Sequence, residues 1–250
     1  MKWHLIRSPE TVSVAEMRDL GIRDLASLSY PHVLLENLET PELSEEKLHH
    51  LKKVLRIKPN SLITATDGKG AWGVFNFSGN FLKNVDEIRF EEERRHSLTI
   101  AISLTKSGKP DLAVQKLTEI GIDKIVLFPA EHSVPLWDQS KQLKNEQRLQ
   151  RVTHSALEQS KGIWLPQVTF VSSFVDVAAL SGVAMADASG VQITESCTCL
   201  AIGPEGGWSQ SEYAFNLPKV CLSDQVLRAE TAAIVAGAMM ESFRTTGSRS

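Results

Sequence analysis

The chain is 250 residues long, which suits one large domain or two modest ones. Hydrophobic residues make up 42% and charged residues 23%, a balance that excludes wholesale disorder, and no apolar run is long enough to cross a bilayer. The net charge of −3 excludes RNA binding by overall positive potential, so any nucleic acid must be held by local basic patches.

Residues 1–30 read as an N-terminal extension to which the sequence assigns no role, with a short helix over Thr11–Leu20 and a break at Tyr30-Pro31. The opening segment lacks the long apolar core of a secretory signal. Cys197, Cys199 and Cys221 are too few and too clustered for a disulfide framework, so reduced thiols and a cytoplasmic protein are expected. From Pro31 the pattern becomes strand-rich. His32–Leu35 reads as a strand, and Leu48, Leu51 and Leu55 at helical spacing predict a short amphipathic helix. Strands over Ser61–Thr66, Ala71–Phe77 and Phe81–Phe90 are punctuated by Asp67-Gly68-Lys69-Gly70 and Ser78-Gly79-Asn80. Such glycine turns predict a small β-rich domain over 31–92, with Glu91–Arg95 as linker. Two basic patches stand here: Lys47, His49, His50, Lys52, Lys53, Arg56 and Lys58, then Arg94, Arg95 and His96. Each is read either as an RNA-binding surface or as ordinary solvated charge.

A second domain, 97–250, alternates strands and helices. Strands are expected at Ser97–Leu104, Ile125–Phe128, Val183–Ala186, Cys199–Ile202 and Val220–Leu222. Between them, Asp111 caps a helix that stops at Gly121. A long polar helix follows from Gln139, with Leu143, Leu149, Val152 and Ala156 inward, and an alanine-rich helix over Glu230–Arg244 closes the chain. The alternation argues for a mainly parallel α/β sheet covered on both faces.

Two strand-to-helix junctions carry the candidate chemistry. Ile202-Gly203-Pro204-Glu205-Gly206-Gly207-Trp208-Ser209 leaves a strand and enters a helix capped by the Ser209–Glu212 box. Its three glycines permit close approach of a ligand to the backbone, yet the spacing fits neither a Walker loop nor a dinucleotide fingerprint. Leu222-Ser223-Asp224-Gln225-Val226-Leu227-Arg228-Ala229-Glu230-Thr231 forms the second junction. Open α/β sheets bind ligands at such carboxyl ends of strands. Cys197 and Cys199, two apart, are placed on one strand face and read as core rather than metal ligands; no zinc cluster is visible, and no metal is expected. His132 and His154 read as packing or surface residues, and Trp164 and Trp208 as core, interface or base-stacking groups.

In combination these two junctions resemble the RsmE family of SPOUT-class methyltransferases. His49–Arg56, Val114–Gly121 and Ala156–Ser160 are similar to the same family, so the resemblance runs from about Pro31 to Ser242. It implies a small PUA-like β-barrel RNA-binding domain followed by a SPOUT domain whose parallel sheet carries a trefoil knot. It further implies a homodimer and methyl transfer from S-adenosylmethionine (SAM) to N3 of one uridine in 16S ribosomal RNA. The SAM contacts carried over are Ile202, Gly203, Glu205, Gly206, Gly207, Leu222, Val226, Leu227, Arg228 and Thr231. Arg228 is the expected stabiliser of the developing uracil anion, and Glu205 or Glu230 the expected proton acceptor. Lys52, Lys53, Arg56 and Lys161 are the expected RNA contacts, on 16S rRNA or the small subunit, with neither DNA nor membrane as partner. Glu131-His132 and Lys161-Gly162 stand where the family usually has arginine. Two other readings stay open: the same chemistry on another rRNA position, a tRNA or a ribose hydroxyl, and a non-catalytic RNA-binding ribosome-assembly factor.

Overall fold

The computed structural model describes residues 21, 25, 29–92, 94–104, 110–133 and 139–247. The helix expected over Thr11–Leu20 lies outside them. Two compact units emerge: the described residues of Met1–Glu93 together with Leu157–Trp164, and those of Arg94–Ala156 together with Leu165–Ser250. The two contiguous stretches expected from the sequence are thus interrupted once, by Leu157–Trp164.

In the first unit β1 (His32–Leu34) runs parallel to β2 (Ser61–Thr66), which pairs antiparallel with β3 (Ala71–Phe77). Strand β3 also pairs with β4 (Leu82–Asn84) and β5 (Arg89–Phe90), making a five-stranded sheet. The single strand expected over Phe81–Phe90 is therefore two, because Arg89 ion-pairs with Asp86 at 2.8 Å and holds a turn between them. The β2–β3 turn forms at the glycine cluster. Asp67 Oδ1 accepts the N–H groups of Lys69 (2.7 Å) and Ala71 (3.1 Å), while Gly68 and Gly70 adopt φ of 72° and 100°.

The expected amphipathic helix is α1 (Glu45–His49) running on into one π-helical turn, His50–Val54. The wider turn breaks the 3.6-residue register, so Leu51 is buried while Leu55 is exposed rather than inward. Leu157–Trp164 belongs to this unit through polar locks. His32 Nε2–H donates to the Gly162 carbonyl (3.1 Å), which leaves Nδ1 to accept the Thr64 hydroxyl (2.8 Å). Glu158 Oε1 accepts the Leu34 N–H (2.9 Å) and the Lys47 ammonium (3.0 Å).

The second unit holds six parallel strands in the order β11–β9–β10–β6–β7–β8. These are β6 (Thr99–Ser103), β7 (Lys124–Phe128), β8 (Gln167–Phe170), β9 (Val183–Gln192), β10 (Cys199–Ile202) and β11 (Lys219–Cys221). Alternate side chains divide between two cores, as a sheet covered on both faces requires. Ile100, Ile102, Ile125, Leu127, Leu200 and Ile202 face one; Ala101, Val126, Phe128, Cys199 and Ala201 face the other. Helices α2 (Asp111–Ile120) and α6 (Ala229–Gly247) cover the first core, joined by Leu149 of α3 (Gln139–Ser160). Phe174 and Val177 of α4 (Phe174–Ala178) help to cover the second.

Several expectations need correction. Gly121 is the left-handed helix end at φ 98°, but Asp111 is the first helical residue and Pro110 the cap. Leu143 is 56% exposed, since the inner stripe of α3 begins nearer Leu149. Cys197 precedes β10 and packs in the first core, whereas Cys199 packs in the second, so the two do not share a face. Strand β8 and helix α4 were not anticipated at all.

Candidate functional site

The chain order of the second sheet creates a switch point. From β6 it moves outward through β7 and β8, then returns to lay β10, β9 and β11 on the opposite side. Loops leaving the carboxyl ends of β10 and β11, together with the middle of β9, line a cavity of about 530 Å³. That volume falls within the range of roughly 300–1,000 Å³ usual for small-molecule sites.

The first wall is the loop after β10. Gly207 N–H donates to the Pro204 carbonyl at 2.9 Å, closing a tight turn, and Gly207 itself takes φ 74°. A capped helical turn, α5 (Gln210–Tyr213), then begins: Ser209 accepts the Glu212 N–H, and the Glu212 carboxylate accepts the Ser209 N–H at 2.7 Å. Glu212 is 2% exposed and also accepts the Glu131 N–H at 3.1 Å. Ser211 donates to the Glu131 carboxylate, which holds it below the usual carboxylate range. His132 Nδ1–H donates to the Gly207 carbonyl at 3.1 Å. Glu131 and His132 therefore brace the glycine loop from behind.

Trp208 is core, not a free stacking surface. It is 8% exposed, stacks on Phe128 with a centroid distance of 6.3 Å, and donates its indole N–H to the Ala186 carbonyl at 3.0 Å.

The second wall is the loop after β11. Leu222 and Leu227 turn partly into the core, Val226 is fully exposed, and Arg228 precedes the first residue of α6, its carbonyl accepting the Ala232 N–H at 2.8 Å. The Arg228 guanidinium is exposed and makes no ion pair among the described residues. The surface pair with Glu230 that their spacing allows does not form.

The third wall was invisible in the sequence. After Met185, strand β9 makes an excursion before resuming its pairing with β11 at Val191. Gly190 rejoins so tightly that a Cβ there would lie 2.5 Å from the Lys219–Val220 backbone. The excursion places Ala186, Asp187 and Ala188 on the cavity, with Tyr213 beside them. Asp187 Oδ1 accepts the Ser189 N–H and hydroxyl (2.8 and 2.6 Å), and Oδ2 accepts the Tyr213 phenol at 2.5 Å. Ser189, then Tyr213, lower the Asp187 pKa, while the bond to Asp187 pushes the Tyr213 phenol up to about 12. An Asx turn after an apolar strand was the available signal.

Of the expected site residues, Ile202, Gly203, Glu205, Gly207, Leu222, Val226, Leu227 and Arg228 line this one cavity. Gly206 lies behind it, where a Cβ would meet His132 at 3.0 Å, and neither Glu230 nor the exposed Thr231 is part of its lining. Lys52, Lys53 and Arg56 are exposed on the first unit, where Lys52 donates to Asn80 at 2.7 Å. Lys161, in the left-handed region at φ 56°, is half-buried, and burial lowers its pKa. Lys47 is tied to Glu158, and Arg94 to Asp123 at 2.8 Å, so these two leave the candidate patches. Among the described residues no group of His, Cys, Asp and Glu converges to hold a metal.

Residues 91–241 match the model of the RNA methyltransferase domain. The chain belongs to that family. Residues 43–78, in the first unit, match the RNA methyltransferase PUA domain. Relatives of this RNA methyltransferase include the ribosomal RNA small subunit methyltransferase E of Rickettsia conorii, 27% identical over 81% of this chain and 89% of that protein. The protein of the same name from Synechocystis sp. is 29% identical over 82% of this chain and 73% of its own length. Among solved structures, the ribosomal RNA small subunit methyltransferase E of Neisseria gonorrhoeae bound to S-adenosyl methionine aligns with a TM-score of 0.70 and 26% identity. The alignment covers 85% of this chain and 97% of that one.

Proposed function

We propose that this RNA methyltransferase moves the methyl group of SAM to N3 of a uridine in 16S ribosomal RNA. The observation that carries the reading is a single cavity lined by both glycine- and arginine-bearing loops at the carboxyl ends of β10 and β11. The names of its relatives, and the SAM in the Neisseria structure, point the same way.

The donor set suits the cofactor. Gly203 brings its backbone to the wall for adenine, Gly207 closes the turn that holds it there, and Ile202, Leu222 and Leu227 give apolar contact. When bound, SAM supplies an electrophilic methyl group. Arg228, in no ion pair among the described residues, holds the pyrimidine oxygens as negative charge grows on them. Glu205, on the cavity wall, accepts the N3 proton; Glu230, off that wall, sits in the first turn of α6, where the helix dipole favours an acid. Loop rigidity aligns base and methyl group. The target uridine is swung out of any stack to reach the pocket.

The finer architecture belongs to the same reading: a trefoil knot in the six-stranded sheet, a PUA-like barrel in the first unit, and a cytoplasmic homodimer. Fully exposed Val226 gives the dimer reading an apolar group to cover. Lys52, Lys53, Arg56 and Lys161 contact RNA phosphates. The test is incubation of the protein with SAM and undermethylated small subunits, followed by mass-spectrometric mapping of the modified nucleotide. Methyl at uridine N3 in 16S rRNA is expected; methyl on a ribose or on a tRNA would move the target, and SAM binding without transfer would favour an assembly factor.

A further inference from the structure

We propose that Asp187 makes the cofactor pocket select by charge, holding the cationic methyl donor and releasing its neutral product. The inference rests on the SAM reading above and adds a residue and a property that neither loop supplies. Among the described residues, the formally charged side chains lining the cavity are Asp187, Glu205 and Arg228, which together carry one net negative charge. SAM brings a sulfonium, an ammonium and a carboxylate, a net charge of +1; once the methyl has left, the sulfur is a neutral thioether and the product carries none. An anionic wall thus attracts the substrate form of the cofactor more strongly than the spent form.

Asp187 is the better placed of the two carboxylates for this task. Three donors fix it: the Ser189 N–H and hydroxyl and the Tyr213 phenol. Those bonds favour its ionised state, so it serves as a permanent charge rather than a proton acceptor. Its rim position comes from the β9 excursion, which the Gly190 backbone contact pins. Among the described residues the cation that acts on it is Lys219, whose ammonium lies 4.3 Å from the Tyr213 ring centroid and forms no ion pair with Asp187. The carboxylate is therefore left for a ligand to neutralise.

Isothermal titration of the whole chain with three probes tests this: SAM, S-adenosylhomocysteine, and sinefungin, whose protonated amine replaces the sulfonium. In the wild type, SAM and sinefungin are expected to bind more tightly than S-adenosylhomocysteine. Asp187→Asn, which keeps shape and an acceptor oxygen, should weaken SAM and sinefungin by about fivefold, the loss of one charge pair at the upper end of the usual exposed range, and change S-adenosylhomocysteine by less than about twofold. Tyr213→Phe removes a donor but not the charge and should retain the preference at pH 8. Equal weakening of all three probes by Asp187→Asn, or no weakening of any, overturns the proposal while leaving the SAM reading in place. A wild-type chain that binds none of the three overturns the SAM reading itself.

Discussion

The indole of Trp208 lies so close to Gly203 that a Cβ at position 203 would stand 2.8 Å from the ring. The ring is held in an aromatic cluster with Phe128 and Phe174, the latter at a centroid distance of 5.1 Å, and its N–H is bonded to the Ala186 carbonyl, so a shift would disturb both. The glycine after β10 thus answers to the protein core as well as to any ligand.

Gly203→Ala should therefore act twice. Overpacking of this kind destabilises by roughly 1–3 kcal/mol, read as a lower midpoint in urea. SAM affinity should fall as well, because displaced Trp208 drags the cavity wall with it. An unchanged midpoint would mean that the aromatic cluster yields freely.

Arg228→Ala should cut turnover far more than SAM affinity, since its exposed side chain is assigned to the pyrimidine oxygens in addition to its place among the expected cofactor contacts. Arg228→Lys should recover only part of the rate, because an ammonium cannot reproduce the planar two-pronged contact. Single-turnover kinetics beside calorimetry check this; parallel losses in rate and affinity would reassign Arg228 to cofactor binding.

His32 predicts a pH dependence of stability. Burial lowers its pKa from 6.5 to about 4, with the Gly162 carbonyl opposing. The folded state therefore binds its proton less readily than the unfolded chain. Above pH 6.5 both states are neutral and the histidine costs nothing. Between pH 6.5 and 4 the unfolded chain gains the proton first, and stability falls by up to about 3 kcal/mol, reaching its floor below pH 4. Denaturant midpoints measured from pH 7.5 to 4 should show this slope, and His32→Gln should flatten it. A slope unaltered by that substitution would place the titration elsewhere.

The sequence displayed the two candidate walls because glycine, proline and a capping pair are local signals: Gly203–Gly207 and Ser209–Glu212 announce a turn and a helix start wherever they occur. It also displayed the parallel sheet, since β6, β7 and β10 are short apolar runs between helical stretches. What it hid depended on distant partners. Asp187 looks like any turn aspartate until β11 pairs again with β9 beyond it. Glu131 and His132 look like surface residues until Glu212 and Gly207 meet them. Leu55 fails its helical spacing because a π turn intervenes, and nothing in its own residue type signals that.

Charge reversal at Lys52 and Lys53 should weaken RNA binding and flatten its salt dependence. Both ammonium groups are exposed, in a chain whose net charge of −3 offers no general attraction for phosphate. For every phosphate that is no longer neutralised, the slope of log affinity against log salt becomes shallower by roughly 0.7–0.9. Filter binding between 50 and 200 mM salt, about the range over which such ion pairing is most visible, checks it; an unaltered slope removes these lysines from the RNA footprint.

The return of Leu157–Trp164 to the first unit has a practical edge for anyone wishing to study that unit in isolation. A fragment cut after Glu93 would take the Gly162 carbonyl from the imidazole of His32 and the Glu158 carboxylate from the amide of Leu34 and the ammonium of Lys47, and would strip the indole from above Gly70. Scissors applied at the obvious linker would thus yield a wounded sheet. A faithful excised version needs those eight residues grafted back, stitched on through a designed loop.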